Sequence, residues 1–178
     1  MVDLVLLDRD GVINFDSADY IKQPDEWRPI PGAIAAMVVL QKKVTVAVCT
    51  NQSGVGRGLF SEDILADIHK KLNTTLIEAG GVAVDIYYCP HHPEAGCPCR
   101  KPEPELLLAA MRAYDAEAST TVYAGDSEKD LLAARNANCT GALILTGNGV
   151  QTALTDIGRQ TPVMCANLAA LPAALGLD

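Results

Sequence analysis

Short apolar runs alternate with segments of helical periodicity along most of the chain. The apolar runs are rich in Val, Ile, Leu and Tyr, as buried parallel strands are. The predicted strands are Leu4–Leu7, Val44–Cys49, Asp85–Cys89, Thr121–Ala124, Ala142–Leu145 and Pro162–Cys165. The predicted helices are Ala33–Gln41, Ser61–Ala79, Pro104–Tyr114 and Glu128–Asn138, followed by two short helices that close the chain. This alternation predicts an α/β fold with a three-layer, doubly wound parallel sheet.

Two long irregular segments interrupt the pattern, at Asn14–Pro31 and Cys89–Pro102. Long loops inside a compact domain are often functional. The length of 178 residues, 49% of them hydrophobic, favours one domain with a sizeable core. The segment between the first strand and the first helix is too short for a separate cap domain. We therefore expect a single domain over residues 1–178.

Composition narrows the choice of partners. The formal net charge of −8 disfavours nucleic acid, because affinity for a phosphate backbone comes from Lys and Arg. No run of about 18 apolar residues predicts a membrane span, and no charged and then apolar leader precedes the first strand. We expect a cytoplasmic protein that binds a small-molecule substrate, binds no nucleic acid or membrane, and can work as a monomer.

Two aspartates, Asp8 and Asp10, follow the first predicted strand, and Gly11 comes directly after them. Open α/β sheets bind their ligands at the carboxyl ends of the strands. Two carboxylates this close repel each other, and a divalent cation would relieve the repulsion. One aspartate could then act as a nucleophile and the other could transfer protons. A structural turn of the form Asp-x-Asp-Gly is the alternative.

Two other predicted strands lead into polar residues. After the second comes Thr50, which could donate to a phosphoryl oxygen, although the glycine-rich stretch behind it could be a plain connection. After the fourth comes Asp126, which would bring a third carboxylate to the same edge as a Mg²⁺ ligand, or would merely cap the next helix.

An adjacent basic pair, Arg100 and Lys101, follows the second irregular segment. Lys101 could neutralise a phosphoryl group as a point charge, and Arg100 could bind a second oxyanion through two hydrogen bonds. The more ordinary alternative is that both side chains are simply solvated.

Cysteine and histidine are concentrated within that second irregular segment. In a reducing compartment, such clustering indicates a metal rather than disulfides. The set Cys89, His91, Cys97 and Cys99 would form a closed Cys₃His zinc site, which would be structural because no coordination position is left open. His92 is an alternative ligand to His91. A catalytic cysteine with a histidine base is the competing interpretation.

The order of these motifs resembles the haloacid dehalogenase (HAD) superfamily of phosphohydrolases. The matching residues are Asp8-Arg9-Asp10-Gly11, then Thr50, then Lys101, then Gly125-Asp126 with Asp130. The resemblance covers nearly the whole chain and implies a Mg²⁺-dependent phosphatase. The Cys/His segment resembles that of the capless, zinc-containing group of the superfamily.

The resemblance implies a role for each matching residue. Asp8 would attack phosphorus and form an aspartyl-phosphate, while Asp10 would protonate the leaving group and then activate water. Thr50 and Lys101 would stabilise the phosphoryl oxygens. Mg²⁺ would be bound by the Asp8 carboxylate, the Asp10 backbone carbonyl and Asp126, with Asp130 in support. The residues expected to contact the substrate are Arg9, Asp16, Ser17, Asp19, Asn51, Gln52, Ser53 and Arg100.

The substrate implied by the resemblance is a sugar bisphosphate. The closest branch removes the 7-phosphate of a heptose 1,7-bisphosphate on the way to lipopolysaccharide. One alternative is histidinol phosphate, whose phosphatases typically have Asp where Ser53 stands; another is an inactive, zinc-structured binding protein of the same fold. Two departures from the group's pattern, Glu105 and Ser127, leave the four core roles untouched.

Overall fold

A computed structural model describes residues 1–178 and contains one six-stranded sheet in which all neighbouring strands are parallel. The strand order is β3-β2-β1-β4-β5-β6. The strands are β1 (Leu4–Leu7), β2 (Thr45–Asn51), β3 (Ile86–Cys89), β4 (Thr121–Gly125), β5 (Thr140–Ile144) and β6 (Val163–Cys165). This arrangement confirms the predicted doubly wound α/β fold.

Eight α-helices connect the strands or follow them. They are α1 (Ala33–Gln41), α2 (Ser53–Gly56), α3 (Glu62–Glu78), α4 (Glu105–Ala113), α5 (Glu128–Asn136), α6 (Gly149–Thr152), α7 (Asp156–Arg159) and α8 (Leu171–Ala174). No helix combines the length and the apolar character that crossing a membrane requires.

The main boundary differences lie where polar residues or glycine continue a strand. β2 runs two residues past its apolar part because Thr50 and Asn51 pair with Tyr88 and Cys89 of β3. β5 begins two residues early, at Thr140, which pairs with β4. Hydrophobic patterning does not mark these residues, because backbone pairing with a neighbouring strand, and not an apolar side chain, extends the strand.

The sheet is covered on both faces. The larger apolar cluster, of 25 buried residues, joins one face of the sheet to α1, α3 and α8. The smaller cluster, of 13 buried residues, joins the opposite face to α4 and α5. Alternate residues of β1 serve the two clusters: Val5 and Leu7 belong to the larger one, and Leu4 and Leu6 to the smaller. Burial on both faces explains the unbroken apolar sequence of β1.

Candidate active site and Cys/His cluster

The register of the central strands brings their carboxyl ends to one level. Leu7 pairs with Val48 in β2 and with Ala124 in β4. The residues that follow them line a cleft of about 580 Å³ whose walls are mostly polar. Its lining includes Asp8, Arg9, Asp10, Asp16, Ser17, Thr50, Asn51, Gln52, Arg100, Lys101, Asp126, Lys129, Asp130 and Asn148.

Three buried carboxylates converge in this cleft. One oxygen from each of Asp8, Asp126 and Asp130 lies within 4.8 Å of the other two. The Asp10 carboxylate is not part of this group, but the Asp10 backbone carbonyl accepts no hydrogen bond from the protein. A set of carboxylates with a free carbonyl beside them consists of the hard oxygen donors that Mg²⁺ prefers. The residues therefore fit a divalent cation.

Two of the three carboxylates have raised pKa values, which a nearby positive charge would lower. Burial and the neighbouring charge of Asp130 raise the pKa of Asp8 to about 8, although Lys101 works in the opposite direction. Burial raises the pKa of Asp126 to about 6, against hydrogen bonds from Asn148. A bound cation would offset these raised pKa values by favouring the ionised forms.

Lys101 lies at the centre of the buried charges. Its Nζ is 2.9 Å from Asp8 Oδ1 and 2.7 Å from Asp130 Oδ1. The same nitrogen donates to the Tyr123 hydroxyl at 2.7 Å and to the Cys49 carbonyl at 3.1 Å. Burial alone would lower the pKa of Lys101, but the carboxylates of Asp130 and Asp8 raise it above its ordinary value. Lys101 is therefore a fixed cation beside Asp8.

Asp130 is held in place by the start of α5. Its Oδ2 accepts from the backbone N–H of Ser127 at 3.0 Å and from the Ser127 hydroxyl at 2.6 Å. Burial would raise the pKa of Asp130, but Lys101 and Ser127 hold it below its ordinary value. Ser127, one of the two departures from the group's pattern, thus orients the supporting carboxylate.

Asp126 is enclosed by the loop after β5. Asn148 donates to Asp126 Oδ2 from its backbone at 2.7 Å and from its side chain at 3.1 Å. Gly11 and Gly147 both have left-handed backbones, at φ +80° and +56°, and a Cβ on either would collide with the Asp126 carboxylate. The two glycines therefore leave room for this carboxylate at the cation site.

Replacing Gly11 by alanine should disrupt this enclosure. The left-handed backbone would cost about 1–2 kcal/mol of folding stability, and the displaced Asp126 should weaken Mg²⁺ binding by more than about tenfold (about 1.4 kcal/mol). Calorimetric titration with Mg²⁺ and thermal melting would measure the two effects.

Gly80→Ala is the matched control. Gly80 also has a left-handed backbone, at φ +90°, but its Cβ would meet open space. This control should lose stability and keep its Mg²⁺ affinity. Equal Mg²⁺ affinities in the two variants would show that Asp126 does not need the space at Gly11.

Asp10 faces a different set of partners. Arg9 contacts its Oδ1 through Nε at 3.1 Å and Nη2 at 3.0 Å, and Asn14 donates to the same oxygen at 2.8 Å. Gln52 donates to Oδ2 at 2.8 Å. The Trp27 indole N–H, which can only donate, holds the Asn14 amide oxygen at 2.9 Å and so turns the Asn14 amide nitrogen toward Asp10. Burial would raise the pKa of Asp10, but Arg9, Asn14 and Gln52 hold it below its ordinary value.

The residues expected to contact the substrate fall into three groups. Asp16, Ser17, Asn51 and Arg100 line the open cleft. Arg9 and Gln52 also line it, but they are buried and their polar groups bond mainly within the protein. Asp19 and Ser53 lie outside the cleft lining.

Asn51 and Arg100 connect the cleft wall to the Cys/His segment. The Asn51 side chain accepts from the Lys101 backbone N–H at 3.1 Å and donates to the Lys101 carbonyl at 3.2 Å. Arg100 lines the cleft beside it, and its Nη1 is buried without a hydrogen-bond partner in the protein. A guanidinium with unused donors at the wall of a cleft suits a second anionic group.

Sequence reasoning missed three residues of the site. Tyr123 contacts Lys101, Asn148 binds Asp126, and the Thr152 hydroxyl donates to the Asp126 carbonyl at 2.7 Å. The stretch Thr146–Gly149 offered a signal, because it is polar, glycine-rich and follows a predicted strand. Tyr123 offered none, since a tyrosine inside a strand is ordinary.

The Cys/His cluster is formed by the last residue of β3, Cys89, and by the segment that follows it. The distances between neighbouring donor atoms of Cys89, His91, Cys97 and Cys99 run from 3.2 to 3.6 Å. A tetrahedral zinc with Zn–S bonds of about 2.3 Å would separate two sulfur ligands by about 3.8 Å. His92 is not in this cluster, because its Nδ1 accepts from the Glu94 backbone instead. Three thiols and one imidazole at this spacing fit zinc.

The Cys/His segment packs closely against the site. The Gly56 N–H donates to the Pro90 carbonyl at 2.7 Å, and a Cβ on Gly56 would collide with the backbone of His91 and His92. The Gln52 N–H donates to the Cys89 carbonyl at 2.8 Å. The segment is thus fastened to the stretch that carries Thr50 and Gln52.

Known proteins are similar to this chain in both sequence and fold. A family model described as HAD-hydrolase-like matches residues 98–171. A D-glycero-β-D-manno-heptose-1,7-bisphosphate 7-phosphatase of Pseudomonas aeruginosa is 46% identical over 176 residues, or 97% of each chain. The crystal structure of the D,D-heptose 1,7-bisphosphate phosphatase of Bordetella bronchiseptica, complexed with magnesium and phosphate, superposes with a TM-score of 0.92 at 43% identity and covers 98% of each chain. The corresponding Burkholderia thailandensis structure gives 0.74 at 31% identity, over 98% of this chain and 97% of that one.

A parallel sheet that presents an Asp-x-Asp pair, a threonine, a lysine and a third acidic residue at one edge defines a HAD-like hydrolase, which confirms the predicted superfamily. Sequence identity of 43–46% over nearly the full length identifies the family within this superfamily, which the fold alone does not. The chain belongs to the D-glycero-β-D-manno-heptose-1,7-bisphosphate 7-phosphatase family.

Proposed function

We propose that this protein hydrolyses the 7-phosphate of D-glycero-β-D-manno-heptose 1,7-bisphosphate in a Mg²⁺-dependent reaction. The observation that supports this most directly is the convergence of the Asp8, Asp126 and Asp130 carboxylates, two of which, Asp8 and Asp130, contact the ammonium group of Lys101. Family membership supplies the substrate class. The product would enter the synthesis of the nucleotide-activated heptose of lipopolysaccharide.

The cation would be held by the carboxylates of Asp8 and Asp126 and by the Asp10 backbone carbonyl. When bound, Mg²⁺ would neutralise negative charge on the phosphoryl group and on the carboxylates. Asp130 supports this arrangement by fixing Lys101 at 2.7 Å. Thr50 and Lys101 would then stabilise the phosphoryl oxygens from the protein side.

The reaction would proceed in two displacements at phosphorus. In the first, an oxygen of Asp8 forms a bond to phosphorus while the bond to the sugar oxygen breaks, and Asp10 protonates the departing alkoxide. In the second, water attacks the phosphorus of the aspartyl-phosphate, Asp10 takes its proton, and Asp8 is released as a carboxylate. The low pKa of Asp10 suits the second step. A phosphoryl anion bound beside Asp10 favours the protonated form that the first step needs.

Arg100 would recognise the phosphate that is not cleaved. Its guanidinium lines the cleft with unused donors, and a bidentate contact would orient a bisphosphate relative to Asp8. Asp16 and Ser17 lie on the same cleft lining and would contact sugar hydroxyls.

The Cys/His cluster would hold a structural Zn²⁺ through Cys89, His91, Cys97 and Cys99. All four positions of a tetrahedral site are then occupied by protein, so no open position remains for substrate. The segment contributes little apolar surface of its own, and the metal would keep Arg100 and Lys101 in place.

A phosphate-release panel tests the function. We expect heptose 1,7-bisphosphate, as the β-anomer, to be hydrolysed at least tenfold faster than histidinol phosphate, fructose 1,6-bisphosphate or a 3′-phosphorylated oligonucleotide. Phosphorus NMR of the product should show that the phosphate at C1 remains, and chelation of Mg²⁺ should abolish turnover. If no substrate in the panel released phosphate, the result would favour an inactive binding protein. Faster hydrolysis of histidinol phosphate would reassign the substrate.

A further inference from the structure

We propose that Arg9 and Gln52 are positioning residues that fix the direction of the Thr50 hydroxyl proton. This inference rests on the proposed function, in which Thr50 donates to a phosphoryl oxygen. The supporting observation is a continuous chain of buried hydrogen bonds: Arg9 is 1% exposed, Gln52 5% and Thr50 1%.

The chain begins with a group that can only donate. Arg9 Nη2 lies 3.0 Å from Gln52 Oε1. A guanidinium has five N–H donors and no acceptor. The oxygen of the Gln52 amide must therefore face Arg9, because the opposite orientation would place the amide N–H₂ against the guanidinium.

The second link follows from the first. With its oxygen held by Arg9, Gln52 directs Nε2 at Asp10 Oδ2, 2.8 Å away, and at Thr50 Oγ1, 2.9 Å away. The ionised Asp10 carboxylate can only accept, so it favours the same orientation of the amide. Two charged groups of opposite sign thus hold one amide from its two ends.

The third link determines the hydroxyl. Thr50 Oγ1 receives the amide hydrogen of Gln52, so the hydroxyl's own hydrogen must point elsewhere. No acceptor in the protein receives it, and Thr50 lines the cleft. The hydroxyl proton is therefore left for a phosphoryl oxygen. An orientation that is set before the substrate arrives requires no rearrangement during the reaction.

Reversing the polarity at position 52 tests this directly. In Gln52→Glu, the new carboxylate can only accept, so Thr50 would donate to it and not to the substrate. We expect kcat to fall by at least about 10²-fold, the loss expected for Thr50→Val, since one lost donor to developing charge typically costs that much and the new carboxylate also removes the hydrogen bond to Asp10. KM should change by less than about threefold, because the contact strengthens mainly in the transition state.

A double-mutant cycle separates this mechanism from a structural role. Adding Thr50→Val to Gln52→Glu should cause no more than about a threefold further loss of kcat, whereas independent effects would multiply. Gln52→Met and Arg9→Lys provide milder variants for the same cycle, should the carboxylate at position 52 prevent folding. Multiplicative losses in all of these backgrounds would overturn the proposal.

Gln41→Met is the matched control. Gln41 also uses both ends of its amide, accepting from and donating to the Val82 backbone, but it lies away from the cleft. It should keep wild-type kcat. The cycle can use any phosphomonoester that the wild-type protein hydrolyses, so a wild type that rejects heptose bisphosphate would contradict the proposed function alone.

Discussion

Replacing Asp8 by asparagine should abolish phosphate release while the protein remains folded. The amide has the shape of the carboxylate but cannot form a stable bond to phosphorus, so we expect turnover to fall by at least about 10⁴-fold. Stability should not fall, because burial and Asp130 raise the pKa of Asp8 to about 8 and make its charge unfavourable without a cation. Steady-state phosphate release and thermal melting would measure the two effects.

The control for this variant is Asp67→Asn. Asp67 is exposed on α3 and has no contact with the cleft, so its substitution should change neither quantity. Trapping with acid during turnover should recover phosphate covalently bound to the wild-type chain and none on Asp8→Asn. Phosphate release at the wild-type rate by Asp8→Asn would show that another group attacks phosphorus.

Removing the metal from the Cys/His cluster should affect both stability and turnover. We expect one zinc per chain in the purified protein and less than about a tenth of that in Cys97→Ser. A metal held at about a thousandfold excess over its Kd stabilises a fold by about 4 kcal/mol, which in a chain of this size corresponds to a melting temperature lower by about 8–16 °C. Turnover should fall as well, because Arg100 and Lys101 follow Cys99 directly.

Cys139→Ser is the matched control for the zinc prediction. Cys139 is partly buried after the end of α5 and belongs to no group of metal donors. Its substitution should leave the zinc content at one per chain. Elemental analysis of both variants decides the question, and zinc-free wild-type protein with full stability would refute the structural role.

Much of the fold could be predicted from the sequence because its signals are local. The apolar run of β1 and the abrupt change at Asp8 mark a buried strand and the polar edge beyond it, whatever the rest of the chain does. The same holds for the capped start of α3, where the Ser61 hydroxyl accepts from the Ile64 N–H at 3.3 Å. The extension of β2 through Asn51 could not be predicted, because it depends on pairing with β3.

The candidate site could likewise be predicted only in part. The residue types of the Asp-x-Asp pair, Thr50, Lys101 and Asp126 indicated phosphoryl chemistry because acids, a hydroxyl and a cation are what that chemistry uses. Their spacing could not show that Asp130, and not the Asp10 side chain, would join the carboxylate group. Nor could it show that Arg9 would turn inward onto Asp10, since the direction of a side chain depends on what packs around it.

By itself, the sequence determined the parallel α/β class, the residue types of the candidate site and a cluster of metal donors. Each of these depends only on local composition and on spacing along the chain. Tertiary structure alone decided which of these side chains meet. It placed His91 and not His92 with the three thiols, and it turned the amide of Gln52 toward Thr50. The reason is that hydrogen-bond direction and burial depend on contacts between segments far apart in the chain. No local sequence pattern predicts those contacts.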